Sequence, residues 1–100
     1  MSFYRIGEFN VVPGMEEQFE DLVRQLFTDT RDMATERVQV QLIRSTDDPS
    51  HYVIVGLWKS DTQWDVISRA AERRRFTETL RMITHEPAGG EWFEVVIHEA

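Results

Sequence analysis

HYVIVGLWKSDTQWDVI, residues 51–67, reads as a strand that hands over to a helix with almost no loop between them. From Tyr52 to Trp58 nearly every residue is β-branched, aromatic or aliphatic, the unbroken short run of a strand covered on both faces. Tyr52, Ile54, Gly56 and Trp58 share one face, and Val53, Val55 and Leu57 share the other. Ser60-Asp61-Thr62-Gln63 then fits a capping box, in which the Ser60 hydroxyl accepts from the third helical amide and Gln63 reaches back to the Ser60 amide. Trp64, Ile67, Ser68 and Ala71 follow as one stripe at the spacing of a helix lying on a sheet. A strand buried on both faces needs a second covering layer. In a chain of 100 residues the nearest source is a second copy of the chain.

Working outward, Phe3 to Val12 reads as a first strand that Pro13-Gly14 ends, since proline donates no ladder bond and glycine permits the turn. Phe19, Leu22, Val23, Leu26 and Phe27 make the apolar stripe of a helix running to about Met33. Glu16, Glu17, Glu20 and Asp21 crowd its positive N-terminal end. Val38 to Arg44 alternates as a second strand, with Val38, Val40 and Leu42 on one face. The polar turn Thr46-Asp47-Asp48-Pro49-Ser50 is too short for a crossover, so strands two and three form an antiparallel hairpin. After residue 67 the helix continues through an arginine-rich middle, where Ala71 to Arg74 leaves room for a break, and resumes its stripe at Phe76, Leu80 and Ile83. Glu86-Pro87-Ala88-Gly89-Gly90 ends it, and Glu91 to His98 alternates as a last strand. The order βαββαβ predicts one α+β domain over residues 1–100, a ferredoxin-like four-stranded antiparallel sheet with both helices on one face. The other face is left partly apolar, which predicts a homodimer through the sheets, a dimeric α/β barrel.

Composition narrows the function. A formal charge of −7 argues against nucleic acid or an anionic membrane as the main partner. The absence of cysteine excludes disulfides, thiolate metal sites and Cys nucleophiles, and suits a reducing cytoplasm. The N-terminus has no basic-then-apolar leader pattern and no stretch reaches membrane-spanning length, so a cytoplasmic protein is expected. His51, His85 and His98 do not fall at metal-ligand spacing, so no metal site is expected. Gly89-Gly90 matches no phosphate-binding glycine pattern, and no serine lies in a nucleophile-elbow motif.

Two blocks carry a resemblance. Val12-Pro13-Gly14 precedes the helix start Glu16-Glu17-Gln18-Phe19, and Asp48-Pro49-Ser50-His51-Tyr52 leads into Leu57-Trp58-Lys59-Ser60 and a helix. In content, order and spacing they resemble the antibiotic-biosynthesis-monooxygenase-like family of dimeric α+β barrels, over the whole chain. The resemblance implies the barrel dimer and a hydrophobic small-molecule ligand. Its branches include cofactor-free oxygenases that turn electron-rich polycyclic phenols into quinones, haem-degrading oxygenases and autoinducer-modifying proteins. The haem-degrading branch uses an Asn, a Trp and a His; the matching positions here are Gly7, Val66 and Phe76, and none agrees. Asn10 and Trp64 are of the right type but two or three residues away, which disfavours haem degradation.

Under the quinone-forming reading, with no cofactor, Trp58, Trp64 and Phe76 shape a substrate pocket while Asn10 and Arg5 orient the ring oxygen. Each has a structural counterpart. Large aromatics serve equally as core or interface residues, Asn10 serves as a strand-end residue making a turn bond, and Arg5 pairs with Glu8 or Glu94 on neighbouring positions. His85, at a helix end, is a candidate general base or a dipole partner. Arg69 and Arg73, one turn apart, face either an acidic ligand, the Glu16-Glu17 end of a partner, or solvent with Glu72 and Glu78 as local pairs. Two other functions stay open: a dimer that binds a hydrophobic small molecule without turnover, and an isomerase-type barrel that needs His85 or Glu94 at the pocket.

Overall fold

The run from Tyr52 to Trp58 is central to the sheet because it finds a partner along both edges. In the computed structural model, which describes residues 2–85 and 89–100, the elements are β1 (Phe3–Asn10), α1 (Glu16–Thr30), β2 (Arg37–Arg44), β3 (His51–Trp58), α2 (Trp64–Arg69), α3 (Ala71–Ile83) and β4 (Gly90–Glu94). The strands form one antiparallel sheet in the order β2-β3-β1-β4. This is the ferredoxin-like α+β arrangement that the element order predicts.

Pairing fixes which residues share a face, because residues directly opposite in a ladder point the same way. Phe9 lies opposite Tyr52, Gly7 opposite Ile54, Arg5 opposite Gly56, and Leu42 opposite Ile54. These face the helices. Phe19 and Val23 from α1 and Phe76, Leu80 and Ile83 from α3 close over Phe9, Val11 and Tyr52 as one buried core. Phe19 is wholly buried, its ring 5.4 Å from Phe9 and 4.8 Å from Tyr52. The Tyr52 hydroxyl, pushed up in pKa by burial and then by its bond to Glu20, donates to Glu20 Oε2 at 2.6 Å, and Arg44 lies 3.6 Å from the same oxygen. The opposite face carries Val53, Val55 and Leu57 half-buried, with Ile43 and Phe93 exposed.

The Pro13-Gly14 turn works as its composition predicts. Gly14 takes a positive φ of 96°, and its amide donates to Glu16 Oε1 at 2.7 Å, while Ser50 donates to Glu16 Oε2 at 2.8 Å. Glu16 thus ties the start of α1 to the β2–β3 turn. These hydrogen bonds, with that to its own amide the largest, hold its carboxyl below the ordinary range.

Four local expectations change. The capping box does not form: α2 starts at Trp64, and the Gln63 side chain instead accepts from the Glu36 amide at 2.9 Å and donates to Thr35 at 2.8 Å, while Ser60 accepts from Thr62. A long-range anchor outcompetes the local one. The helix breaks at Ala70, whose extended backbone ends α2 and caps α3. That resets the helical phase, so Ala71 is exposed and leaves the Trp64-Ile67 stripe. Val38 is the extra residue of a bulge, with Arg37 opposite Trp58 and Gln39 opposite Leu57, and is 56% exposed rather than aligned with Val40 and Leu42. The last strand stops at Glu94: Val95 donates to Ser2, and Val96 and Ile97 beyond it are exposed. The expected Glu86-Pro87-Ala88 terminator lies outside the described residues.

Candidate functional site

Between sheet and helices, at the end away from Phe19, the layer is hollow. Its floor is built by missing side chains. Gly7, Gly56 and Gly90 sit on three adjoining strands and, with Gly89, line the cavity. At two of these glycines a side chain would crowd a residue of the cavity. A Cβ on Gly56 would stand 2.8 Å from the Trp58 indole nitrogen, and one on Gly90 would stand 2.5 Å from an Arg5 guanidinium nitrogen.

The walls are aromatic. Trp58 from β3, Trp64 from α2 and Phe76 from α3 line the cavity with Phe9 and Phe27. Trp58, Trp64 and Trp92 meet edge to face, with centroids 6.0–6.3 Å apart, a geometry that suits the ring quadrupoles. All three tryptophans of the chain therefore converge here.

The polar lining is cationic. Arg5 lies 4.8 Å from the Trp64 ring and 5.6 Å from Trp92; Arg73 lies 5.7 Å from Trp64 and 4.8 Å from Phe76. Arg37 lies 6.0 Å from Trp58 and donates to Thr30 at 3.2 Å. Burial lowers the pKa of all three, Arg73 further through Arg5 and Arg37 further through Arg31. Among the described residues none of the three is within ion-pair distance of a carboxylate, and no Asp or Glu lines the cavity. In a chain of formal charge −7 this is a concentrated exception.

The geometry sorts the sequence candidates. Arg5, Trp58, Trp64 and Phe76 meet at the cavity. Asn10 does not line it: it stands five positions after Arg5, an odd offset, so alternation puts the two on opposite faces, and Asn10 is exposed opposite His51. His85 is also exposed and away from the lining, its amide donating to the Asn10 carbonyl at 2.9 Å. Glu8 faces away from Arg5 for the same parity reason, and Glu94 does not line the cavity. Of the pair Arg69 and Arg73, only Arg73 reaches the cavity, because the break at Ala70 rotates α3 relative to α2. Arg37, Thr30 and Trp92 were not singled out by sequence. The signal for Arg37 was a register change: uninterrupted alternation would place it with Gln39 on the far face, and the bulge at Val38 turns it inward. Among the described residues no group of three His, Asp or Glu side chains is placed to hold a metal ion, and no helix is long and apolar enough to cross a membrane.

Comparison with known proteins bears on this arrangement. Rv0793 from Mycobacterium tuberculosis superposes with a TM-score of 0.84 at 14% identity over 100% of both chains. A mutant of SnoaB, described as a cofactor-independent oxygenase from Streptomyces nogalater, gives 0.84 at 15% identity over 97% of this chain and 95% of that one. A conserved protein from Methanosarcina mazei Go1 gives 0.84 at 13% over 93% and 91%. At these identities the likeness speaks for the fold. No curated protein matches the chain. The sequence model of the family described as antibiotic biosynthesis monooxygenase matches residues 2–79, taking in β1, the Pro13-Gly14 turn, the central strand and both tryptophans of the cavity wall, and so the chain belongs to the antibiotic biosynthesis monooxygenase family.

Proposed function

We propose that the protein is a homodimeric monooxygenase that converts an electron-rich phenol to a quinone without a bound cofactor. The observation that carries this reading is the pairing of Arg5 and Arg73 across Trp64, two cations without a carboxylate partner among the described residues, in a cavity walled by aromatic rings. Family membership and the description of SnoaB support it.

A phenol reacts with oxygen through its anion. Burial alone raises a phenol's pKa from about 10, by up to about 3–5 units. Each guanidinium about 4 Å away offsets this by about 4 kcal/mol at an effective dielectric of about 20, or about three units. Two cations therefore outweigh the desolvation, and the bound phenol ionises below its free value. Its proton passes to water, since no titratable carboxylate or imidazole lines the cavity among the described residues. The phenolate carbon para to the oxygen, which carries a hydrogen, bonds to O2 and the adduct takes up a proton as a hydroperoxide. Cleavage of the O–O bond with loss of that carbon's hydrogen gives the second C=O and one water. One oxygen atom enters the quinone, the other leaves as water, and the substrate supplies all the electrons. Trp58, Trp64 and Phe76 hold the ring; Arg5 and Arg73 hold the charge.

The uncovered sheet face supports dimerisation, with Val53, Val55 and Leu57 as the apolar centre. Sedimentation equilibrium at micromolar concentration is expected to give twice the 11.8 kDa chain mass, and Val55→Arg to give the chain mass. A wild-type monomer would remove the dimer from the account.

Oxygen uptake with a panel of polycyclic phenols whose para carbon carries a hydrogen, 1-naphthol among them, tests the reaction. Saturable uptake above the heat-inactivated blank is expected, with kcat/KM reduced about 100-fold in Arg73→Gln and also lowered in Trp64→Ala. Binding of the same compounds without uptake would leave a binding dimer as the function. Isomerisation has less support, because neither His85 nor Glu94 lines the cavity.

A further inference from the structure

Arg37 stands apart from the pair at Trp64. Its guanidinium lies against Phe27 and Trp58, and neither ring is shared with Arg5 or Arg73. Thr30, 1% exposed, donates its hydroxyl proton to the Leu26 carbonyl at 2.8 Å, which leaves the oxygen free to receive Arg37 Nη1 at 3.2 Å. One of the five N–H groups of the guanidinium is thereby fixed, and the plane is oriented. The remaining donors have no carboxylate within reach among the described residues.

A half-buried cation held by one hydroxyl and two rings is a poor way to stabilise a fold, because an apolar side chain of similar volume would avoid the desolvation. It is a suitable way to receive an anion that arrives with the ligand, since the fork of an arginine accepts both oxygens of a carboxylate at once. The phenolate of the proposed reaction occupies Arg5 and Arg73 and leaves Arg37 unmatched.

We infer that the substrate is an aromatic acid: its ring lies among Trp58, Trp64 and Phe76 with the phenol oxygen at Arg5 and Arg73, and its permanent carboxylate pairs with Arg37. This names the substrate class of the proposed reaction and rests on that reading for the role of Arg5 and Arg73, while the carboxylate site is a matter of binding alone.

Calorimetric titration under nitrogen separates the two. The probes are 5-hydroxy-2-naphthoate and its methyl ester, in which the carbon para to the phenol carries a hydrogen and which differ in charge on the other ring. The acid is expected to bind at least about tenfold more tightly than the ester. Arg37→Gln should weaken the acid about tenfold and leave the ester within about twofold. Thr30→Val, which keeps the arginine and removes its anchor, should weaken the acid about threefold. Equal affinity for acid and ester, binding of neither, or an equal loss of both in Arg37→Gln would overturn the inference. Acid preference without oxygen uptake would sink the oxygenase reading and leave the aromatic-acid site standing; uptake without acid preference would do the reverse.

Discussion

The layer between the sheet and its helices is filled at one end and hollow at the other, and β1 and β3 build both. At the filled end, Phe9 and Tyr52 lie opposite each other and Phe19 closes over them, with the buried hydroxyl and the nearby arginine both satisfied by Glu20. Two to four residues further along the same strands, Gly7 and Gly56 take the helix-facing places and three arginines enter without carboxylate partners among the described residues. The first end follows the rules of stable packing, and the second departs from them where departures mark function. Stability and activity should therefore separate along a single strand.

The largest expected effect is at the filled end. Phe19→Ala should cost about 3–5 kcal/mol in urea unfolding, because a wholly buried ring leaves a cavity that its neighbours cannot close. Trp64→Ala, at the half-buried hollow end, should cost less than half as much while abolishing ligand binding. Equal losses of stability would erase the contrast between the two ends.

A smaller effect isolates the glycine floor. Gly90→Ala places a methyl group 2.5–2.8 Å from the Arg5 guanidinium, the mobile end of a flexible side chain that can swing away. Stability should move by less than about 1 kcal/mol, as for substitutions relieved by a side-chain shift. Turnover should fall about tenfold as Arg5 leaves its place at Trp64. Unchanged turnover with Arg5 displaced would remove that arginine from the catalytic account.

Much of this fold was legible in the sequence because its signals are local and repeated. The Tyr52–Trp58 run, the Phe19 to Phe27 stripe and the Pro13-Gly14 turn each name their element unaided. The aromatic half of the candidate site was legible in part: Trp58, Trp64 and Phe76 fall on elements that pattern alone locates, but pattern did not say which face of the sheet meets the helices. The cationic half was not. Arg73 reaches the cavity because Ala70 breaks the helix, and Arg37 because Val38 bulges out of β2, and each irregularity shifts the phase by which a face is read. Asn10 parts from Arg5 for the complementary reason: the two were assigned one role, and strand parity puts them on opposite faces. Periodicity finds faces only as far as the next interruption.

The central claim is that Arg5 and Arg73 make this apolar cavity a place where a phenol ionises more readily than in water. An anaerobic absorbance titration of bound 1-naphthol against pH measures that directly, with Arg73→Gln as the comparison. The account predicts that the bound phenol loses its proton at least about one unit below the free compound, the equivalent of about 1.4 kcal/mol, and that Arg73→Gln returns it toward or above the free value. A bound naphthol that ionises at or above the pH of the free compound in the wild-type protein would mean that burial outweighs the two cations, and would contradict the account.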